Sequence, residues 1–349
     1  MNDSAFLENL SRTKELVWPI IEEYLHNAFI FPDYCRIPEK YRSELEFHSQ
    51  LVSDYPLRKG KYLRPTLVLN TALGMGSSLE LSLPVAAAMQ LSEEWILIHD
   101  DIEDDSEQRR GLPALPKLYS PALAINAGDA LHVIMWKAIG DINNKKIFEE
   151  FYQLLNRTTL GQTIDIKWTS ENKLDITDED VFLILESKTC YYTISGPMRL
   201  GAILAGATED DLTTIYKFGT NLGRSFQIID DVLDITSDFS GLKKQQYNDI
   251  YEGKRTIPLA HLIRSVNPSE LKDITTILSK DRYQKSADEV LAIIDLMKKY
   301  NTIDYAKSLA IKFSQNAKQI LDQEMSFIKI EPYRQQLYSA IEFVVTRDH

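Results

Sequence analysis

The 349-residue chain is acidic, with a formal net charge of −12 from 51 acidic and 39 basic residues, and this balance argues against a nucleic-acid-binding surface. Its two cysteines and six scattered histidines form neither a disulfide framework nor a zinc-binding pattern, and they are compatible with a reducing cytoplasm. The N-terminus lacks the basic start and apolar core of a signal peptide, and no run reaches the roughly 20 apolar residues of a membrane-spanning helix, so we expect a cytoplasmic protein without a membrane span.

The N-terminal residues show the apolar spacing of an amphipathic helix. Apolar side chains such as Leu16 and Ile20 recur every three or four positions, until two prolines interrupt the pattern. No linker rich in Gly, Ser or Pro divides the rest of the chain, whose length allows one large domain or two ordinary ones. We therefore predict a single domain over residues 1–349, with residues 1–55 as a helical N-terminal portion.

A basic turn follows at residues 58–65. Gly60 permits a close backbone approach there, while Lys61 and Arg64 are three residues apart and can point the same way toward an anion. Taken alone, such a turn is more often simply solvated. Residues 67–98 then have the pattern of two apolar helices, separated around a Gly- and Ser-rich break.

The second of these helices leads into an acidic cluster, in which six carboxylates fall within eight positions. If the segment is helical, Asp100 and Asp104 share one face and repel each other, so a cationic group is expected between them. One such motif by itself is more often a solvated turn. A second cluster repeats the spacing at Asp230, Asp231 and Asp234. Two such clusters could meet across a cavity and hold divalent cations, and Mg²⁺ fits carboxylate ligands best.

Basic side chains accompany both clusters. Arg109 and Arg110 are planar, permanently charged and suited to bidentate phosphate contacts, although they could merely neutralise the acidic stretch. Lys188 enters an otherwise apolar helix, where a buried lysine is rare unless paired, and a snorkelling surface lysine is an equal alternative. Lys244 and Lys254 lie in a polar loop after the second cluster.

Helical patterns joined by short polar segments continue to the C-terminus, and no long strand-like alternation competes with them. The predicted fold class is therefore all-α: a single-domain helical bundle around a central active-site cavity, into which facing helices project side chains.

These blocks, in this order, resemble the trans-isoprenyl diphosphate synthases of the polyprenyl synthetase family, of the short-chain type. The resemblance runs from about Gly60 to Arg347. It implies the isoprenoid-synthase bundle, a homodimer, and a prenyltransferase that condenses isopentenyl diphosphate with an allylic diphosphate. It also implies that three Mg²⁺ ions take part.

The resemblance assigns roles to individual residues. Isopentenyl diphosphate would be bound by Lys61, Arg64 and Arg110. The allylic diphosphate would face Arg109 and Lys188, with further diphosphate contacts from Lys244 and Lys254 and with Thr189 beside the carbocation. The metal ligands would be Asp100, Asp104 and Asp230, and the same catalytic group would include Asp101, Gln227, Asp231 and Asp234. Gln162 and Asp165 would lie near the metals, although a Gln–Asp pair supporting a helix contact is equally compatible with the residues alone.

One residue departs from the family pattern. Glu93, seven residues before Asp100, stands where the family usually has a His or Gln that helps to hold isopentenyl diphosphate. A carboxylate facing a diphosphate would repel it unless the carboxylate were protonated or paired with Lys61 or Arg64.

The residues before the first cluster bear on product length. Trp95 lies one helical turn from the acidic cluster, where a bulky indole is placed to act as the floor of a hydrocarbon pocket, and Ser92 beneath it leaves space. In the family, an aromatic at this position without a second aromatic at the next, here Ile96, goes with a twenty-carbon product. The resemblance thus implies geranylgeranyl diphosphate, with farnesyl diphosphate as the alternative because Trp is larger than the usual Phe or Tyr.

Two other functions remain as alternatives. A class I terpene cyclase also ionises an allylic diphosphate, but its second metal motif normally mixes Asn, Ser or Thr, and Glu, unlike the aspartates at 230–234. A regulatory subunit of a prenyl synthase would be expected to have lost acidic ligands, whereas both clusters are intact here. Glu93 is the one feature that favours altered function.

Overall fold

A computed structural model describes residues 3–236 and 246–346, and within them nearly all regular structure is helical, which confirms the all-α prediction. The α-helices are α1 (Asp3–Asn27), α2 (Arg42–Leu57), α3 (Leu63–Gly74), α4 (Leu79–Glu103), α5 (Leu115–Leu118), α6 (Pro121–Ile142), α7 (Lys145–Ser170), α8 (Asp178–Leu185), α9 (Gly196–Leu204), α10 (Glu209–Thr236), α11 (Asn248–Glu252), α12 (Ile257–Ser265), α13 (Pro268–Leu278), α14 (Ala287–Lys299), α15 (Thr302–Gln323) and α16 (Tyr333–Thr346). Short 3₁₀ turns cover Asp33–Cys35, Glu39–Tyr41 and Arg282–Gln284. In this described part of the chain, no helix is long and apolar enough to cross a bilayer.

Two short strands form a hairpin directly after the first acidic cluster. Strands β1 (Gln108–Arg109) and β2 (Leu112–Pro113) pair antiparallel. Their turn consists of Arg110, with φ of 54°, and Gly111, with φ of 77°. The left-handed backbone at Arg110 is uncommon for a residue with a Cβ. It separates the side chains of the two consecutive arginines, with consequences for the candidate site.

The predicted helix boundaries follow from local chemistry. The break between α3 and α4 contains Gly76, whose φ of 98° suits glycine, and the Ser78 hydroxyl caps α4 by accepting the Leu81 N–H at 3.3 Å. Pro32 and Pro38 lie between α1 and α2, as expected from their missing N–H groups. These boundaries agree with the sequence pattern.

Helices α4 and α10 run through the interior and carry the two acidic clusters. Helix α4 packs against α3 and α6, where the fully buried Ala86, Ala87 and Ala88 let its neighbours approach closely. Helix α10 packs against α9 and α15. Large apolar clusters surround both helices, so their polar C-terminal ends are held by the packing of the rest of each helix.

A π-helical segment, Glu186–Ser195, joins α8 to α9. The sequence predicts a continuous apolar helix here, and the wider turn is a finding of the structure. Glycines on both neighbouring helices make room for it: a Cβ on Gly161 would lie 2.7 Å from the Lys188 nitrogen, and one on Gly223 would lie 2.6 Å from the Cys190 Cα. Since π-turns within α-helices are often found at functional sites, Lys188 and Thr189 lie in a segment of functional interest.

Candidate active site

The first acidic cluster lies at the C-terminal end of α4. Asp100 is in its last turn, and the Asp104 N–H, just past the helix, donates to the Asp100 carbonyl oxygen at 2.8 Å, so the helical geometry continues between them. The cationic group expected there consists of three side chains. Lys188 Nζ and Arg109 Nη2 each lie 3.6 Å from an Asp100 oxygen, and Lys254 Nζ donates to Asp104 at 2.9 Å.

Lys254 connects the first cluster with the second. Burial opposes the charge on its ammonium group, but nearby carboxylates, Asp104 first among them, outweigh burial and raise the pKa of Lys254 well above its usual value. The same ammonium charge tends to lower the pKa of Asp231 on α10. Asp234 of the second cluster accepts a hydrogen bond from the Asp249 N–H at 3.0 Å, which links α10 to α11. The charge of Lys254 therefore acts on carboxylates of both clusters.

The carboxyl groups of the two clusters differ in their pKa values. Burial raises the pKa of Asp104 to about 6 and that of Asp231 to about 7, with repulsion from nearby carboxylates adding to both shifts. Asp100 differs, because the charges of Lys188, Lys254 and Arg109 outweigh burial and hold its pKa below the usual value. A site with raised carboxyl pKa values is stabilised by added positive charge.

The donor set fits Mg²⁺. Asp231 Oδ1 accepts from Gln227 at 3.0 Å, but its Oδ2 is buried and has no hydrogen-bond partner. Such an atom is costly unless a ligand satisfies it. Within the described ranges, no three carboxylates are gathered tightly enough to make a ready-made metal site. Mg²⁺ keeps several of its own waters and needs only one or two carboxylates from each side, so Asp100, Asp104 and the second cluster could hold it.

The π-helical segment is linked to the second cluster by a chain of hydrogen bonds. The Thr189 hydroxyl donates to Gln227 Oε1 at 3.2 Å, and Gln227 Nε2 donates to Asp231 at 3.0 Å. The two bonds fix the orientation of the Gln227 amide. Because the Thr189 proton is used in this bond, the oxygen's lone pairs are free to face another group.

Helix α7 contributes to the first cluster. Lys188 Nζ donates to Asp165 at 3.1 Å, and Gln162 Nε2 donates to Asp100 at 3.4 Å and to Glu103. Gln162 and Asp165 therefore contact residues of the candidate site. Lys188 is paired with carboxylates on two helices, which explains how a lysine is accommodated in an apolar segment.

Asp101 is the fully buried carboxylate of the first cluster. Both of its oxygens lie 3.0 Å from Arg109 Nε, and the Tyr55 hydroxyl donates to it. The Tyr55 oxygen in turn accepts the Leu115 N–H at 2.9 Å. These contacts make Asp101 a positioning residue for Arg109. Tyr55 is a member of the site that no local sequence signal identified.

Replacing Asp101 with asparagine should destabilise the protein. The change removes the close counter-charge of the partly buried Arg109 guanidinium and leaves only Asp100, at 3.6 Å, so we expect the free energy of unfolding to fall by about 3 kcal/mol. Tyr55→Phe, which removes two hydrogen bonds but no charge, should cost about 2 kcal/mol. Denaturant unfolding of both variants measures the difference. Equal small losses would show that the Asp101–Arg109 pair does not stabilise the fold.

A second group of charges lies further down α4. Arg110 makes two hydrogen bonds to the buried Glu94, at 2.9 and 3.2 Å. Arg64 Nη1 lies 3.1 Å from Glu93, so Glu93 is paired with one of the two partners considered from the sequence. Gly60 lies against this group, since a Cβ there would be 2.7 Å from Arg110 Nη2. Glu94 is a second residue that sequence reasoning missed.

The residues predicted to set product length are also on α4. Trp95 is 8% exposed, its indole N–H points at Met135 Sδ at 3.4 Å, and its ring centroid lies 4.6 Å from that of His132. Ile96 is partly buried beside the same apolar cluster. Ser92 is fully buried, and its Oγ lies 2.9 Å from the Tyr192 hydroxyl; that Ser92 leaves space beneath Trp95 stays a prediction.

The structure does not test the predicted roles of several residues. Lys61 is exposed just before α3, and its role toward a diphosphate stays a prediction. Lys244 lies outside the described residues, as does Arg347 at the end of the resemblance. Asp230 is on α10 with Asp231 and Asp234, and its role as a metal ligand likewise stays a prediction.

Comparisons with known proteins point to one family. Residues 47–297 match the model of the polyprenyl synthetase family. The geranylgeranyl diphosphate synthase of Sulfolobus acidocaldarius is 33% identical over 275 residues, which are 76% of this chain and 81% of that relative. The short chain isoprenyl diphosphate synthase of Methanothermobacter thermautotrophicus is 30% identical, over 83% of this chain and 87% of its own. The crystal structure of geranylgeranyl pyrophosphate synthetase from Pyrococcus horikoshii aligns with a TM-score of 0.81 at 28% identity, covering 97% and 98% of the two chains.

Proposed function

The chain belongs to the polyprenyl synthetase family and is a prenyltransferase, and on this basis we propose that its product is geranylgeranyl diphosphate. In the proposed reaction, an allylic diphosphate ionises and the double bond of isopentenyl diphosphate attacks the allylic carbon. Loss of a proton then yields an allylic diphosphate five carbons longer. Farnesyl diphosphate is the alternative product.

The observation that carries the proposal is the presence of two separate cationic groups that pair with carboxylates at different positions along α4 and just past its end. Arg64 and Arg110 lie beside Glu93 and Glu94, whereas Arg109, Lys188 and Lys254 lie beside the aspartates. Seven residues of α-helix separate Glu93 from Asp100, which corresponds to about 10 Å along the axis. Two anion-binding positions suit a reaction with two diphosphate substrates, whereas a cyclase needs one.

The hairpin after α4 explains how two adjacent arginines serve two positions. Arg109 lies in β1 and turns toward Asp101 and Asp100. Arg110 has left-handed backbone geometry and turns back toward Glu94. Each guanidinium is held by a buried carboxylate, so its direction is set before substrate binds. Such preorganised charge is effective because little reorganisation accompanies the reaction.

The chain's own residues can stabilise both ends of the breaking bond. Arg109, Lys188 and Lys254 would bind the departing diphosphate and neutralise its growing charge. Mg²⁺, when bound by the aspartate clusters, supplies further positive charge to that leaving group. Thr189 donates its proton to Gln227, so its oxygen can face the positive allylic carbon with a lone pair. No nucleophilic side chain is needed.

Product analysis tests this function. The purified chain, incubated with Mg²⁺, isopentenyl diphosphate and allylic primers of five, ten or fifteen carbons, should release a linear twenty-carbon diphosphate. Chelation of divalent ions should lower turnover by about a thousandfold or more, and added Mg²⁺ should restore it. A cyclised hydrocarbon would instead indicate a terpene cyclase. A chain inactive alone but active with a second prenyl synthase subunit would indicate a regulatory subunit.

We propose further that the protein acts as a cytoplasmic homodimer with three Mg²⁺ ions per active site. The described cysteines, Cys35 and Cys190, are both free thiols, as suits a reducing compartment. Large apolar side chains are exposed on two neighbouring helices, including Val133 on α6 and Phe148 on α7, and would be covered in a dimer. Light scattering during size-exclusion chromatography measures the state, and a monomer at micromolar concentration would contradict it.

A further inference from the structure

We propose that Glu93 competes with the diphosphate of isopentenyl diphosphate for Arg64: it pairs with Arg64 when no substrate is bound and so weakens substrate binding there. The inference rests on the proposed function, since it concerns the second of the two substrates. It assigns a specificity-determining role to an acidic residue that stands among cations otherwise suited to an anionic ligand.

The geometry places Glu93 between the two arginines of this group. Its Oε2 lies 3.1 Å from Arg64 Nη1, and its Oε1 lies 4.0 Å from Arg110 Nη2. The carboxylate is 14% exposed, so most of its charge is shielded from water. A buried carboxylate at this distance from two guanidinium groups offsets the charge that they would otherwise present to a diphosphate.

The pairing between Glu93 and Arg64 is incomplete. Glu93 Oε2 is buried and makes no hydrogen bond despite its closeness to Arg64, and Arg64 Nε is buried without a partner. Arg64 is held mainly by other groups, since it donates to Thr193 at 2.9 Å and lies over the Tyr192 ring, 4.5 Å from its centroid. Arg64 therefore keeps its place without Glu93 and retains an unused donor for a ligand.

The adjacent Glu94 has a different role although its chemistry is the same. It is fully buried, accepts two hydrogen bonds from Arg110, and accepts a third from Gln90 at 2.7 Å. Its oxygens are thus engaged in holding Arg110 in a fixed direction. Removing the Glu94 charge should loosen the binding site, whereas removing the Glu93 charge should only take away a repulsive group.

Glu93→Gln tests the proposal, because glutamine keeps the size and one acceptor oxygen but removes the charge. We expect the KM for isopentenyl diphosphate to fall by roughly tenfold. The KM for the allylic primer should stay the same, since that diphosphate faces the other cationic group, and kcat should change by less than about threefold. The thermal stability of the unliganded protein should fall slightly as Arg64 loses its counter-charge.

Two comparison variants and one substitute variant complete the test. Glu94→Gln should raise the KM for isopentenyl diphosphate, the opposite direction from its neighbour. Glu46→Gln, which removes an exposed partner of Arg42 at 3.0 Å, is a matched control that should change neither constant. If Glu93→Gln does not fold, as judged by circular dichroism, Glu93→His replaces it with the same expected fall in KM.

Calorimetric binding of isopentenyl diphosphate, without primer, separates this inference from the proposed function. The dissociation constant should fall in Glu93→Gln by the same factor as the KM. An unchanged or higher dissociation constant would overturn the role of Glu93, even if the wild-type chain makes prenyl diphosphates. A wild-type chain that binds isopentenyl diphosphate but makes no longer diphosphate would overturn the proposed function, and the two dissociation constants would still decide the role of Glu93.

Discussion

Replacing Asp104 with asparagine should lower kcat by about a thousandfold or more. This is the largest effect that we expect from a single substitution that removes one charge. The amide has the shape of the carboxylate but cannot offer negative charge to a divalent cation. It also removes one of the two carboxylates that pair with Lys254, which donates to Asp104 at 2.9 Å and lies 2.6 Å from Glu252. Steady-state kinetics at saturating Mg²⁺ measures the loss.

The neighbouring aspartate provides the matched control for this experiment. Asp105 is 50% exposed, has φ of 50°, and contacts Lys117 at 2.8 Å at the rim of the site. Asp105→Asn makes the same chemical change one residue away, and its kcat should stay within about threefold of wild type. If both variants lost activity equally, or if Asp104→Asn kept a tenth of it, Asp104 would not be a ligand of the metal.

Replacing Trp95 with alanine should lengthen the product beyond twenty carbons. The indole packs against His132 and Met135 one turn from the aspartates, so its removal opens volume where the end of a growing hydrocarbon is expected. Tyr192, whose hydroxyl lies 2.9 Å from Ser92 Oγ, is the next bulky side chain beside Ser92 and is expected to limit the added length. Chromatography of the dephosphorylated products measures the distribution.

Loss of stability is the main complication of this variant, since truncating a buried Trp costs about 3–5 kcal/mol. Trp168→Ala is the control, because Trp168 on α7 packs with a different apolar cluster and should leave the product unchanged. Melting temperatures of both variants show whether each is folded during the assay. An unchanged product distribution in folded Trp95→Ala would remove Trp95 as the floor of the pocket.

Much of the fold was predictable from local patterns. The helix break before α4 follows from glycine and a serine cap within a few residues of each other, and the acidic clusters lie at the helix positions that their spacing indicates. Charge repulsion between Asp100 and Asp104 also predicted a cation nearby. These inferences succeed because their causes act over one or two helical turns.

Other features of the candidate site were missed because their causes are distant in sequence. Tyr55 and Asp101 are in contact but 46 residues apart in the sequence, and Lys254 and Asp104 are in contact but 150 residues apart. The π-helical segment depends on glycines of α7 and α10, which only the packed structure brings against it. The contact between Ser92 and Tyr192, 100 positions apart, likewise has no local signal in the sequence.

The sequence by itself determined the helices, the two aspartate motifs and the family, since these depend on residue order, spacing and side-chain type. Tertiary structure alone decided which charges meet. Arg109 and Arg110 are adjacent in the chain, yet a left-handed turn directs one toward Asp101 and the other toward Glu94. The physical reason is that helical periodicity is a local property of the backbone, whereas the pairing of buried charges depends on how distant helices pack and exclude water.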